Sequence, residues 1–173
     1  CSELITYPSS PLDRCRIINR VLFHEYGFRC NPEYQINPQN ALITQTIRRR
    51  QGFAVSLSIL YLFLAQKCNV KLNLINIPDY TILGCFQEVP TFYIDPQSRG
   101  SFRTADELYA ILMSQNMDPH LSTLTPSSES EILGLCCQQL ADQYSLDNKL
   151  DKANLFLGFM HSLEKVRNPQ PQL

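Results

Sequence analysis

Between Phe53 and Ala65 only Ser56 and Ser58 interrupt an apolar run. Such a run falls short of the roughly 18–20 apolar residues that a bilayer span needs. A helix apolar on nearly every side must be buried on nearly every side, so the pattern predicts the central helix of a globular domain. Gly52 stands just before it, where a residue without a Cβ permits a sharp turn or a close approach. Upstream, Leu12, Cys15, Ile18 and Leu22 recur at helical spacing, and Gly27 is a natural stop. Residues 28–35 read as loop. Asn37-Pro38-Gln39-Asn40 then opens a second helix over residues 41–49, with Leu42, Ile43 and Ile47 expected to face inward.

Beyond Cys68 the period changes. Val70, Leu72 and Leu74 alternate with Lys71 and Asn73, which predicts a strand. Residues 81–86 and 91–94 read as two more strands, joined through Glu88-Val89-Pro90, and residues 95–100 as a loop. Thr104 opens a short helix with Asp106 and Glu107 in its first turn. Residues 117–128 are turn-rich and read as a linker. Two helical stripes follow, Ile132, Leu135, Cys136 and Leu140, then Leu150, Ala153, Leu157, Met160 and Leu163. Asp147-Asn148 separates them and Asn168-Pro169 ends them. Helices first, then a small meander, then a helical hairpin predict an α+β domain with an antiparallel sheet against the central helix.

Charge excludes some functions. At a net charge of −1 over 173 residues, no global field recruits nucleic acid or an anionic membrane. The one dense basic patch, Arg48-Arg49-Arg50, suits a helix C-terminus, where cations oppose the dipole. The seven cysteines are odd in number and lack any Cys-x-x-Cys spacing, and the three histidines are scattered. No metal or cofactor site is expected. Buried reduced thiols acting as small apolar residues point to a cytoplasmic protein. The start at Cys1 rather than methionine reads as a trimmed piece, with a lipid-modified mature cysteine as the alternative. Nothing along the chain fixes an oligomeric state.

An ordered series of short motifs carries more. Glu25-Tyr26-Gly27-Phe28-Arg29-Cys30-Asn31 and Asn37-Pro38-Gln39-Asn40 come first. Arg49-Arg50-Gln51-Gly52-Phe53-Ala54-Val55-Ser56-Leu57, Leu60-Tyr61, Ile77-Pro78-Asp79-Tyr80 and Ile94-Asp95-Pro96 follow. Over residues 22–108 the series resembles the transglutaminase-like, papain-related superfamily, and within it the SirB-type family of bacterial proteins. The resemblance implies a transglutaminase-like domain over residues 1–124. It also implies a tetratricopeptide-like hairpin over residues 125–173, packed on that domain.

The resemblance also implies a thiol mechanism: a cysteine at the start of the buried helix, a histidine on a neighbouring strand, and an acid that orients it. Carried over by motif, those positions hold Ala54, Tyr80 and Asp95. Alanine has no nucleophile, and SirB-type proteins often lack the cysteine while usually keeping the histidine, so this chain departs further than they do. Tyr80 is expected to fill the histidine's space and donate its hydroxyl to Asp95. Asp95 alternatively caps a turn before Pro96. Ser56 reads as a helix serine bonded to the preceding turn, His24 as an ordinary surface or packing histidine, and Phe53, Tyr61 and Phe63 as core. Cys68 lies about 21 Å down the helix from Ala54, and Cys85 has the wrong strand parity to face Tyr80.

The expectation is a non-catalytic domain that binds a protein or peptide partner through the old cleft, bounded by Gln51, Ala54, Asn76, Tyr80 and Asp95, or through the hairpin. The rival is a thiol-dependent amide hydrolase or acyltransferase that uses a displaced cysteine such as Cys30. A third possibility is a scaffold segment joining other chains.

Overall fold

In the computed structural model, residues 4–5, 9–31, 37–77, 80–114 and 124–167 are described. Cys1, His120, the Pro78-Asp79 pair, most of the proposed linker and the Asn168-Pro169 stop lie outside them.

Helix α1 (Pro11–Asn19) starts where Ser10 accepts the Asp13 N–H on its side chain, with proline in the first turn. It continues as a π-helical turn over Arg20–Glu25 and stops at Gly27, whose φ of +68° suits glycine. Within the segment expected to be loop, β1 (Arg29–Cys30) forms. It pairs in parallel with β2 (Gln51–Gly52). The proposed second helix divides in two. A 3₁₀ turn over Pro38–Ala41 is capped by the Asn37 side chain, and α2 (Ile43–Arg49) follows it. Thr46, not Ile47, is the buried residue of α2, and Ile47 is exposed. Arg50 ends α2 with a left-handed φ of 55°. Its guanidinium lies over the Tyr26 ring and donates to the Tyr26 carbonyl, while Arg49 donates to the Asn40 side chain.

Gly52 is glycine for reasons of space. A Cβ there would stand 2.6 Å from Thr46 Cγ2, so α2 and β2 close on each other only because that Cβ is missing. The chain then enters the central helix α3 (Ala54–Lys67). Burial is complete from Ala54 through Ser58. Phe63, expected in the core, is 57 % exposed. An exposed large apolar residue is common on folded surfaces, so composition alone did not decide its side of the helix. Tyr61 is fully buried and donates its hydroxyl to the Cys15 carbonyl, which ties α3 to α1.

The sheet has the order β3-β4-β5-β6, all antiparallel: β3 (Asn73–Ile77), β4 (Tyr80–Cys85), β5 (Phe92–Asp95) and β6 (Ser101–Arg103). The first strand starts later than its period-two stretch. Residues Asn69 and Val70 still belong to the end of α3, through a φ of 54° and a bond from Val70 N to the Ala65 carbonyl. The fourth strand, β6, follows the loop expected over residues 95–100. The sheet is covered on both faces. Leu74, Leu83, Cys85 and Ile94 pack toward α1 and α3. Ile75, Ile77, Tyr80, Ile82 and Tyr93 pack against Leu108 and Leu112 of α4 (Ala105–Ser114).

The hairpin is α5 (Glu129–Leu146) and α6 (Leu150–Arg167). Ser128 and Glu131 form a reciprocal capping box at its start. Ile132 and Leu135 of α5 lie against the main core, and Leu140 joins Ala41 and Phe53 in a smaller cluster. Tyr144 stacks on Phe156 at 5.8 Å between centroids. Of the expected α6 stripe, Ala153 is buried but Leu150 and Leu157 are exposed, and Phe156 takes the inner position instead. The fold is α+β, with a small antiparallel sheet and a C-terminal helical hairpin.

Candidate functional site

Strand alternation settles which side chains reach the start of α3. Thr81 shares the α3 face of the sheet with Leu83 and Cys85, while Tyr80 belongs to the cluster on the α4 face. Tyr80 donates its hydroxyl to Asp95 Oδ2 at 2.6 Å. Asp95 is only 1 % exposed. Its Oδ1 accepts from Gln97 N at 2.9 Å and Ser98 N at 3.1 Å, and Arg103 Nη2 stands 3.8 Å from Oδ2. This carboxylate therefore both caps the turn between β5 and β6 and receives the tyrosine. Burial, and then the bond to Asp95, push the Tyr80 hydroxyl well above the ordinary phenol range. It is a fixed neutral donor, not a proton shuttle at neutral pH.

Ala54 is buried in the first turn of α3. Ser56 donates to the Ala41 carbonyl at 3.1 Å and stands 3.4 Å from the Asn40 carbonyl. Its partners belong to the 3₁₀ turn and not to its own helix, and the hydroxyl is occupied. Cys30 pairs across the short parallel ladder with Gly52, which places it beside the entry to α3. It is half-buried against the main core. Burial raises the other described thiols: Cys15 to about 12, Cys136 to about 11, and Cys68, Cys85 and Cys137 in the same direction. His24 is exposed on the π-helical turn and His161 is exposed on α6.

A cavity of about 320 Å³ opens where the β3–β4 end of the sheet meets α5. Phe53, Val55, Tyr80 and Thr81 line one side, and Leu135, Gln139, Asp142 and Leu146 the other. Of the five residues proposed to bound the cleft, Asn76 and Tyr80 line it. Gln51 sits on β2 opposite Arg29, Ala54 is buried behind Phe53 and Val55, and Asp95 stands behind the Tyr80 hydroxyl. The wall supplied by α5 was not legible in the sequence, because it comes from residues more than 50 positions downstream of Tyr80. Its nearest signal was the Leu135 and Leu140 stripe, which fixes the face that α5 turns inward. Gln143 fastens this wall by accepting the Asn37 N–H at 2.8 Å.

A family model described as the transglutaminase-like superfamily matches residues 1–138. A UPF0162 protein of Xylella fastidiosa is 24% identical over 147 residues, 79% of this chain and 50% of that protein. A UPF0162 protein of Vibrio cholerae is 38% identical over 65 residues, 38% of this chain and 24% of that protein. F-box only protein 21 of Mus musculus is 35% identical over 98 residues, 52% of this chain and 16% of that protein. The chain thus spans half the length of the Xylella relative and less of the other two. No solved structure matches it.

Proposed function

Because this chain belongs to the transglutaminase-like superfamily, we propose that it is a non-catalytic, SirB-type member that binds a protein or peptide partner. The observation that carries this reading is the state of the family's three positions. Ala54 offers no nucleophile, and Tyr80 spends its hydroxyl on Asp95. Tyr80 and Asp95, which motif order would set at the histidine and acid positions, form a structural hydrogen bond on the α4 face of the sheet. A concave site lined by apolar walls and a few polar groups is an ordinary place for a ligand, and the cavity beside Phe53 and Thr81 has that character. The hairpin is proposed to be tetratricopeptide-like, forming its own unit over residues 125–173 packed on residues 1–124. Its two 18-residue helices and their stacked Tyr144–Phe156 pair support this. A cytoplasmic setting goes with the six free cysteines among the described residues. No helix among those residues is long and apolar enough to cross a membrane.

A displaced-thiol enzyme is the second reading, favoured by one observation: Cys30 lies opposite Gly52, at the entry to α3. One experiment separates the two. The purified chain is incubated at neutral pH with thiol-directed amide and ester probes, and adducts are mapped by mass spectrometry. Slow labelling spread over the half-buried Cys30, Cys136 and Cys137, without turnover, is the expected result. Rapid selective acylation of Cys30 with turnover, lost in Cys30→Ser, would overturn the non-catalytic reading.

A further inference from the structure

The cavity beside Phe53 is one chamber of a longer groove. A second cavity, of about 370 Å³, adjoins it, and Asn76 and Leu135 line both. Along α5 the lining runs from Ser130 in the second cavity to Leu146 in the first. Sixteen helical steps cover about 24 Å, the reach of about seven extended residues. The other side of the second chamber is the edge of β3, where Ser127 N and Oγ already bond the Leu74 carbonyl and the Asn76 N–H. The strand edge is thus occupied at Leu74 and Asn76, and a ligand there must be held mainly by its side chains.

The lining is one-sided in charge. Glu131 and Glu164 line one chamber and Asp142 the other, and no lysine or arginine lines either. Asp142 accepts a neutral bond from Gln138 and, among the described residues, pairs with no cation. Gln139, in the wall beside it, has a buried Oε1 with no donor. A buried acceptor left unmet is costly, and this one lies in the wall that also carries the Asp142 carboxylate. Its apolar walls, Phe53, Val55, Leu135 and Leu146, suit an aliphatic stem.

We infer that this groove takes an extended polypeptide segment bearing lysine or arginine side chains, with one basic side chain seated between Phe53 and Asp142. The inference rests on the partner-binding function proposed above and adds the partner's chemistry. Its stems cover the apolar walls, its cationic head meets Asp142, and its N–H groups serve Gln139 Oε1. A polyanion such as nucleic acid is repelled by the same lining.

The test is an array of random heptapeptides probed with the labelled full chain, with Asp142→Asn/Glu164→Gln and Leu135→Trp variants alongside. Asp151→Asn, at an exposed position on α6 outside both chambers, serves as control. Circular dichroism melts confirm that each variant is folded. Bound spots should be enriched in lysine and arginine, and their signal should fall about fivefold to tenfold in the double charge variant. Leu135→Trp should block the groove, and Asp151→Asn should change nothing. Binding without a basic bias, but lost in Leu135→Trp, would overturn the basic chemistry and leave a peptide groove standing. Basic spots that bind the double charge variant undiminished would also overturn it. No bound spots at all would remove the peptide-binding function together with the inference.

Discussion

The Tyr80 hydroxyl and Asp95 Oδ2 lie 2.6 Å apart in the interior, and the same carboxylate holds the turn that leads from β5 into β6. The pair is an anchor between three strands. Tyr80→Phe removes one charge-assisted bond and leaves Asp95 its backbone donors, so it should cost about 1–2 kcal/mol. Asp95→Ala strips the turn, the tyrosine and Arg103 of their acceptor together, and should cost about 3 kcal/mol or more. Urea melts of both variants and of the double variant check this. A double-mutant cycle with no coupling energy would show that the bond contributes nothing net.

The buried thiols make stability fall at alkaline pH. Burial lifts Cys15 from 9.0 to about 12 and Cys136 to about 11, and it raises Cys68 and Cys85 as well. The folded protein thus holds these protons more tightly than the unfolded chain does. The stability they contribute is complete below about pH 9. It declines as pH rises through 9.0 toward the folded values. Thermal melts from pH 7 to 10.5 should fall steeply above pH 9, and Cys15→Ala should flatten part of that slope while lowering the melting temperature throughout.

Much of this architecture is legible in residue patterns. The Phe53–Ala65 run marks the central helix, and the change of period after Cys68 marks the sheet, because burial on two kinds of surface imposes two different spacings. The expected Tyr80–Asp95 bond is present, since a buried tyrosine hydroxyl needs an acceptor and the motif supplied one. Ile47, Phe63, Leu150 and Leu157 were expected inside and are exposed. An apolar residue leaving the core costs only its own transfer, so pattern alone constrains it weakly. The two-residue strands Arg29–Cys30 and Gln51–Gly52 are too short to show any period. The α5 wall of the cavity depends on long-range docking, which no local pattern encodes.

The approach of α2 to β2 gives a compensation test. Gly52→Ala puts a methyl group against Thr46 Oγ1 and 2.6 Å from Thr46 Cγ2, and Thr46 is fully buried. The overpacking should cost about 1–3 kcal/mol. Thr46→Ala removes both the hydroxyl and the methyl that such a Cβ would meet, so Gly52→Ala should be less costly in its presence, and denaturant melts of the four proteins measure the difference. Equal costs in both backgrounds would mean that the backbone of Gly52, and not its missing side chain, sets the requirement.

The seat of the hairpin rests on few groups. Leu140 fills the cluster with Ala41 and Phe53, and Gln143 accepts from Asn37 N. Leu140→Ala deletes most of a buried side chain and should cost about 2–3 kcal/mol of docking. Its effect should be local, because Tyr61, Leu74 and Leu83 belong to the other core, which the substitution leaves intact. Hydrogen exchange separates the outcomes. Amides of α5 and α6 should exchange faster in Leu140→Ala, while those of α3 and β4 keep their protection. The first chamber of the groove, walled by α5, should loosen with the hairpin, and the basic-peptide signal should drop in the same variant. Uniform loss of protection across α3, β4 and α5 would mean instead that the hairpin and the transglutaminase-like core unfold as one unit.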